Sequence, residues 1–346
     1  MPNPVFICVH PQLEIRTDLS SLSVMHAIRI HETGGPEKLR LEEVPLPEPG
    51  PGQVRLRVEA AGLNYVDTYH RTGLYPQTLP FTPGLEAAGV ITAVGRDAGD
   101  FRVGDRVATA RATGAYADEA LAPVAQLVRV PDGVAGETAA AVLLQGLTAH
   151  ALACDVFPLK AGDVALVHSA AGGVGLLLTQ IARHRGARVI ACVSTDAKAA
   201  LAREAGAGDA IVTSRENFTE GARRLTDGRG VDVVYDAVGK DTFEGSLNSL
   251  RPRGMMVSYG NASGPVAPFS PLLLTQKGSL FFTRPSFGHY AATPAELRAR
   301  AEELFRWVAD GALKVWIGSR FPLGGAAEAH RAIESRATTG KVLLLP

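Results

Sequence analysis

The 346-residue chain is 46% hydrophobic and carries 35 basic and 35 acidic side chains, for a formal net charge of zero. That length points to two domains, and the composition supports buried cores rather than disorder. The charge balance argues against nucleic acid as the main partner, and no apolar run suggests the roughly 18 residues that cross a membrane.

Residues 1 to about 24 hold Pro2, Pro4 and Pro11 and no pattern that packs alone, so they are expected to be a dispensable extension ahead of Met25. They also lack the basic and apolar regions of a secretory signal, which makes the cytoplasm the expected location. From His26, HAIRIHETGG alternates like a strand and ends in a Gly-Gly turn. PLPEPGPGQ (Pro45–Gln53) reads as a surface loop, and Val54 to Ala60 alternates as a half-buried strand. Glycines at 84, 89, 95, 99, 104 and 114 then punctuate short β-prone pieces, as in an antiparallel β-rich domain.

The texture changes after Glu137. An Ala/Leu-rich helical stretch leads to VALVHS, AAGGVG, LLLTQIARHRG and ARVIACV, a strand, glycine turn, helix and strand in succession. Further alternation through VDVVYDAV to about Phe282 signals βαβ units and a parallel sheet. PAELRARAEELFRWVADG, from Pro294, is an amphipathic helix with Leu297, Ala301, Leu304, Phe305 and Val308 on one face. Cys8, Cys154 and Cys192 are far apart, without a CxxC pair, and read as free thiols rather than a disulfide framework or zinc cluster.

The strongest local signal is Ala170-Ala171-Gly172-Gly173-Val174-Gly175 between a strand and a helix. It approximates the dinucleotide fingerprint, with Ala170 at the first glycine. Gly172 would let the backbone approach a pyrophosphate, and Gly175 would let helix pack on strand. The free N–H groups of the helix start favour phosphate. A carboxylate about 20 residues further on would select NAD through the ribose 2′-hydroxyl. Val193, Ser194 and Thr195 stand there instead, and Lys198 follows, a set that favours the 2′-phosphate of NADP.

GDVALVHSAAGGVG (Gly162–Gly175) resembles the signature of the NADPH:quinone oxidoreductases, the zeta-crystallin-like branch of the medium-chain dehydrogenase/reductases. AGLNYVDTYHRTGLYP from Ala61, QGLTAH from Gln145, VVYDAVG from Val233, GMMVSYGNASG from Gly254 and ESRATTGKVLL from Glu334 also look like family segments. The resemblance runs from Met25 to Pro346. It implies an α/β chain with a GroES-like catalytic domain over residues 25–147, a Rossmann NADP-binding domain over 148–285, and a return to the catalytic domain over 286–346. It places nucleotide contacts on Tyr65, Val66, Asp67, Thr68, Tyr69 and Thr148, with Gly173 and Val174 at the pyrophosphate. Ser194, Thr195, Lys198 and Arg336 fall at the 2′-phosphate. Val238, Gly260, Asn261, Ala262, Ser263, Pro285, Ser286 and Phe287 fall along the nicotinamide and its ribose. Relatives often carry a tyrosine after the third strand, where this chain reads Thr213-Ser214-Arg215.

Zinc-using cousins place a cysteine, a histidine and a further thiol where this chain has Asn64, Leu85 and Gln145 or its neighbours, so no metal is expected. Without a Lewis acid, reduction of a conjugated carbonyl is the accessible chemistry, since positioning against the nicotinamide supplies most of the catalysis. Tyr69, with Asn64 and Thr148, is placed to hold a carbonyl oxygen, and Tyr75, Phe287 and Tyr290 to form an aromatic pocket. The expected activity is NADPH-dependent reduction of quinones or enones by a homodimer. The alternatives are an enoyl or alkenal double-bond reductase and a nucleic-acid-binding or crystallin-like role.

Overall fold

The computed structural model describes residues 23–346, so the expected extension lies outside the described residues except for Ser23 and Val24. Strands β1 (Val24–Arg29), β2 (Arg40–Pro45) and β3 (Gln53–Leu63) precede helix α1 (Tyr65–Thr72). Strands β4 (Glu86–Val94), β5 (Arg106–Thr109), β6 (Glu119–Pro123) and β7 (Leu127–Arg129) follow it. Helix α2 (Gly136–Ala151) leads into β8 (Val164–His168), α3 (Gly173–His184), β9 (Arg188–Val193), α4 (Asp196–Glu204) and β10 (Asp209–Val212). Next come α5 (Phe218–Arg224), β11 (Val231–Asp236), α6 (Phe243–Ser249), β12 (Leu250–Ser258), α7 (Leu272–Gln276) and β13 (Phe281–Thr283). The described chain finishes with α8 (Phe287–Tyr290), α9 (Pro294–Ala309), β14 (Ile317–Pro322), α10 (Ala326–Glu334) and β15 (Lys341–Leu345).

Two large sheets result. Six parallel strands run in the order β10-β9-β8-β11-β12-β13, the doubly wound arrangement in which the chain reverses direction beside β8. Every residue of β8 and β11 is buried because helices cover both faces, which explains their unbroken apolar character. The other sheet runs β14-β15-β3-β4-β5-β7, with β6 beside β3. Val54, Leu56, Val58 and Ala60 of β3 are all buried, as their alternation predicts. The last strands therefore return to the sheet that β3 begins, while β1 and β2 form a two-stranded sheet of their own. Gly340 binds this return to the nucleotide half, its N–H donating to Ala171 O at 2.8 Å.

Two expectations are corrected. Helix α2 continues through a wider π turn at Leu152–Val156, and the whole Gly136–Val156 segment is 21 residues with a mean hydropathy of 1.4. It is long and apolar enough to cross a membrane, yet 72% of its apolar 18-residue window is buried within the protein, so it serves as a core helix. It packs against β3 and β4 on one side and α3 and α9 on the other. The expected boundary at 147/148 therefore cuts a continuous helix that both domains use as core. Helix α9 presents the predicted face: Leu297, Ala301, Leu304 and Phe305 are buried and Val308 half-buried. A capping box between Thr293 and Glu296 starts it.

Candidate active site

The glycine turn is built as the fingerprint requires, with one shift of roles. A Cβ on Gly175 would lie 2.4 Å from Ser169 O and 2.6 Å from Ala170 Cα, so only glycine lets α3 pack this close to β8. A Cβ on Gly173 would lie 1.7 Å from Oε1 of Gln145, whose side chain covers the turn from α2. Gly172, the N-cap, would meet only Ser169 O at 3.2 Å, so its lack of a side chain serves the approach of a ligand more than the fold. The left-handed position of the turn is Ser169, at φ 52°, and not Ala170, which is why alanine is accepted where the fingerprint has its first glycine. No side chain caps α3, and the N–H groups of Gly173 and Val174 face the loop side of the sheet.

At the tip of β9, Thr195 caps α4 by accepting from the Lys198 N–H at 3.3 Å, and Ser194 is exposed beside it. The Lys198 ammonium donates to the backbone oxygen of Arg336 at 2.5 Å, so the fold brings these two cations together across 138 residues. Burial, and next Arg336, lower the Lys198 pKa. The nearby Asp196 carboxylate is paired with Arg215. The Arg336 guanidinium is exposed, 3.8 Å from Asp241.

Between the two domains, Asn261 N–H donates to the Tyr69 hydroxyl oxygen at 2.7 Å. Burial raises the Tyr69 pKa to about 12, so its O–H stays protonated and its hydrogen remains available to a ligand. The Gly260–Ser263 turn is held against the loop after β11: Ser263 Oγ donates to Val238 O at 2.9 Å, and Ala262 N to Ala237 O at 3.2 Å. Asp236 anchors that loop, accepting from Val238 N at 2.7 Å and from Ser246 Oγ at 2.8 Å. Thr148 Oγ1 is engaged with Leu144 O at 2.8 Å and keeps its lone pairs. A cavity of about 930 Å³, whose Tyr75 packs edge-on against the Tyr69 ring, is walled by Val66, Tyr75, Leu144, Ser286 and Phe287. Pro285 is half-buried just before it. Tyr290, expected in the aromatic wall, is not among the lining residues, and its backbone oxygen instead receives Arg300 Nε at 2.9 Å.

Asn64 and Asp67 stand elsewhere than expected. Asn64 is 4% exposed, and its amide is fully used: Nδ2 donates to Gly62 O at 2.9 Å and Glu86 Oε2 at 2.8 Å, while Oδ1 accepts from Lys341 Nζ at 2.9 Å. It has no hydrogen-bonding atom left for a substrate oxygen. Asp67 is fully buried and accepts from Asn64 N–H and Tyr116 O–H, both at 2.9 Å; burial pushes its pKa up to about 7. Its carboxyl faces the catalytic-domain interior, not a nucleotide. Thr68, also buried, bonds Tyr65 O at 2.7 Å, and Tyr65 O–H reaches Ile333 O at 3.4 Å. Of the helix that the resemblance placed on the nucleotide, Val66 lines the cavity and Tyr69 meets Asn261 through its hydroxyl.

A family profile for the alcohol dehydrogenase GroES-like domain matches residues 50–132, and one for zinc-binding dehydrogenases matches residues 173–303. A quinone oxidoreductase of Pseudomonas aeruginosa is 48% identical over 315 residues, which are 90% of this chain and 97% of that protein. The chain belongs to the quinone oxidoreductase family. A Burkholderia 2-haloacrylate reductase is 44% identical, covering 93% of this chain and 99% of its own. The crystal structure of Escherichia coli quinone oxidoreductase complexed with NADPH superimposes with a TM-score of 0.90 at 41% identity, covering 93% of this chain and all of that one.

The zinc in one profile's description finds no suitable donors at the expected positions of this family member. Asn64 is spent on hydrogen bonds, Leu85 has no donor atom, and the Glu86 carboxylate is 2.5 Å from the Lys341 ammonium. Lys341 is 1% exposed, and its burial lowers its pKa against the opposing pull of Glu86. The buried set Glu86, Lys341, Tyr116 and His330 was not foreseen. The only hint was a carboxylate beside Leu85, since the sequence separation of 255 between Glu86 and Lys341 hides their pairing. His70 and Arg111 of the cavity wall were also missed.

Proposed function

We propose that this quinone oxidoreductase family member reduces quinones and related electron-poor conjugated carbonyls with NADPH, without metal, as a cytoplasmic homodimer. The observation that carries this reading is the position of Tyr69. Its ring lies 5.2 Å, centroid to centroid, from Tyr75 of the cavity wall, while its hydroxyl receives Asn261 of the Rossmann turn. A single side chain thus joins the space for an acceptor to the loops that the fold reserves for a nicotinamide.

Bound NADPH supplies a hydride to the acceptor. The chain's part is positional. The α3 N-terminus with Gly172, Gly173 and Val174 receives the pyrophosphate, and Lys198 and Arg336, with Ser194 and Thr195, receive the 2′-phosphate. Val238, Asn261 and Phe287 border the nicotinamide end. The Tyr69 O–H donates to the substrate oxygen, and solvent delivers the proton that completes reduction. Reduction of a carbon–carbon double bond conjugated to a carbonyl is the second reading, favoured by the 44% identity to a 2-haloacrylate reductase. Steady-state rates with quinones and enones, each with NADPH and NADH, test both. Absence of turnover with every acceptor refutes them. Dialysis against a strong chelator should leave the rates intact, and sedimentation should report a dimer.

A further inference from the structure

The cavity wall carries a guanidinium that no side chain among the described residues engages. Of the charged residues lining it, Arg29 donates to Thr82 Oγ1 at 3.2 Å and Pro80 O at 3.3 Å. Glu119 is held by Arg55 at 2.8 Å. Arg111, two residues past β5, uses only its backbone N–H, toward Thr109 Oγ1. Among the described residues its guanidinium has no hydrogen bond or ion pair. That guanidinium reaches the segment that carries Phe287: Nη2 comes within 3.0 Å of where a Cβ on Gly288 would sit. Gly288 leaves the room in which it lies.

Its surroundings suit an anion. His70, also on the wall, has its pKa lowered by burial first and by Arg111 second, so it is a neutral imidazole at neutral pH and can donate one hydrogen bond. Ser286 adds a hydroxyl with no partner in the protein among the described residues. Val66, Leu144 and Phe287 supply an apolar wall beside these groups. A planar fork of donors next to an apolar wall fits a flat conjugated body bearing a carboxylate, which guanidinium recognises in bidentate fashion. A neutral quinone would leave the fork unused.

We propose that Arg111 anchors a carboxylate of the substrate, so that the preferred acceptors are conjugated carbonyl compounds carrying an acid group. This rests on the reductase reading above. Calorimetry on the NADPH-loaded protein with benzoate and its neutral isostere benzamide tests the anchor without turnover. Benzoate should bind about tenfold more tightly, the low end for a charge-assisted pair because the site is open to water. Arg111→Gln should close that gap, and Arg111→Lys should keep part of it, with unchanged melting temperatures confirming that both fold. Equal affinities in the wild type, no detectable benzoate binding, or a gap that survives in Arg111→Gln overturns the proposal. In turnover, the ratio of kcat/KM for a carboxylated benzoquinone to that for its methyl ester should fall about tenfold in Arg111→Gln. If no acceptor is reduced while the benzoate gap stands, the reductase reading fails and the anion site remains.

Discussion

Removing Lys198 tests whether the end of β9 chooses the nucleotide. Its ammonium and the Arg336 guanidinium are brought together by the hydrogen bond from Lys198 Nζ to Arg336 O; Asp196 is paired with Arg215, and the carboxylate nearest Arg336 is the exposed Asp241 at 3.8 Å. A charge-assisted contact to phosphate contributes about 1.5–3 kcal/mol. Arg336 is 59% exposed, so the lower end applies, about 1.4 kcal/mol or tenfold. Lys198→Ala should therefore raise KM for NADPH about tenfold and leave NADH within about twofold. It also cuts the bond to Arg336 O, which could shift the segment leading to Gly340. Arg336→Ala is the control, since it removes a cation and keeps that carbonyl. It should give the same NADPH-specific loss, and the double variant should fall short of the product because both cations share one phosphate. The NADPH preference should fade on alkaline titration at a lower pH than an ordinary lysine would set, and Arg336→Ala should move that fade upward. Equal losses with both cofactors in Lys198→Ala, and none in Arg336→Ala, would mean that Lys198 supports the fold or the pyrophosphate instead.

Three further outcomes follow from the geometry. Tyr69→Phe leaves Asn261 N–H unpaired and removes the hydroxyl that meets it; kcat should fall about tenfold and stability by about 1 kcal/mol, read from turnover and urea titration. Gly175→Ala sets a Cβ against backbone and should cost about 1–3 kcal/mol of stability, whereas Gly172→Ala should fold normally and lose affinity for NADPH, measured by fluorescence titration. His330 is fully buried, and burial, with Arg71 second, pushes its pKa down to about 3. The unfolded chain then binds one more proton between about pH 6.5 and that value, so stability falls as pH falls through this window. The loss at pH 5 is about 2 kcal/mol, and His330→Asn should shrink the difference in unfolding free energy between pH 7 and pH 5 by that amount; an unchanged difference refutes the assignment.

Local chemistry made much of this protein readable in its sequence. The period of the apolar residues marks β3 and α9, the unbroken apolar runs mark β8 and β11, and the glycine turn marks the start of α3, because each depends on neighbours a few residues away. The missing carboxylate after Val193 is equally local. What tertiary structure decided is which distant groups meet. Asn64 looked available for a substrate because its partners, Glu86 and Lys341, lie 22 and 277 residues away. Asp67 sits beside Val66, which lines the cavity, yet one residue along a helix turns its side chain by about 100°, here into the interior beside Tyr116. Composition alone could not tell α2 from a membrane span, since burial between two domains and burial in lipid select the same side chains. Arg111 became informative only once folding had surrounded it with uncharged or already paired groups, because a cation's role depends on which charges are left to meet it.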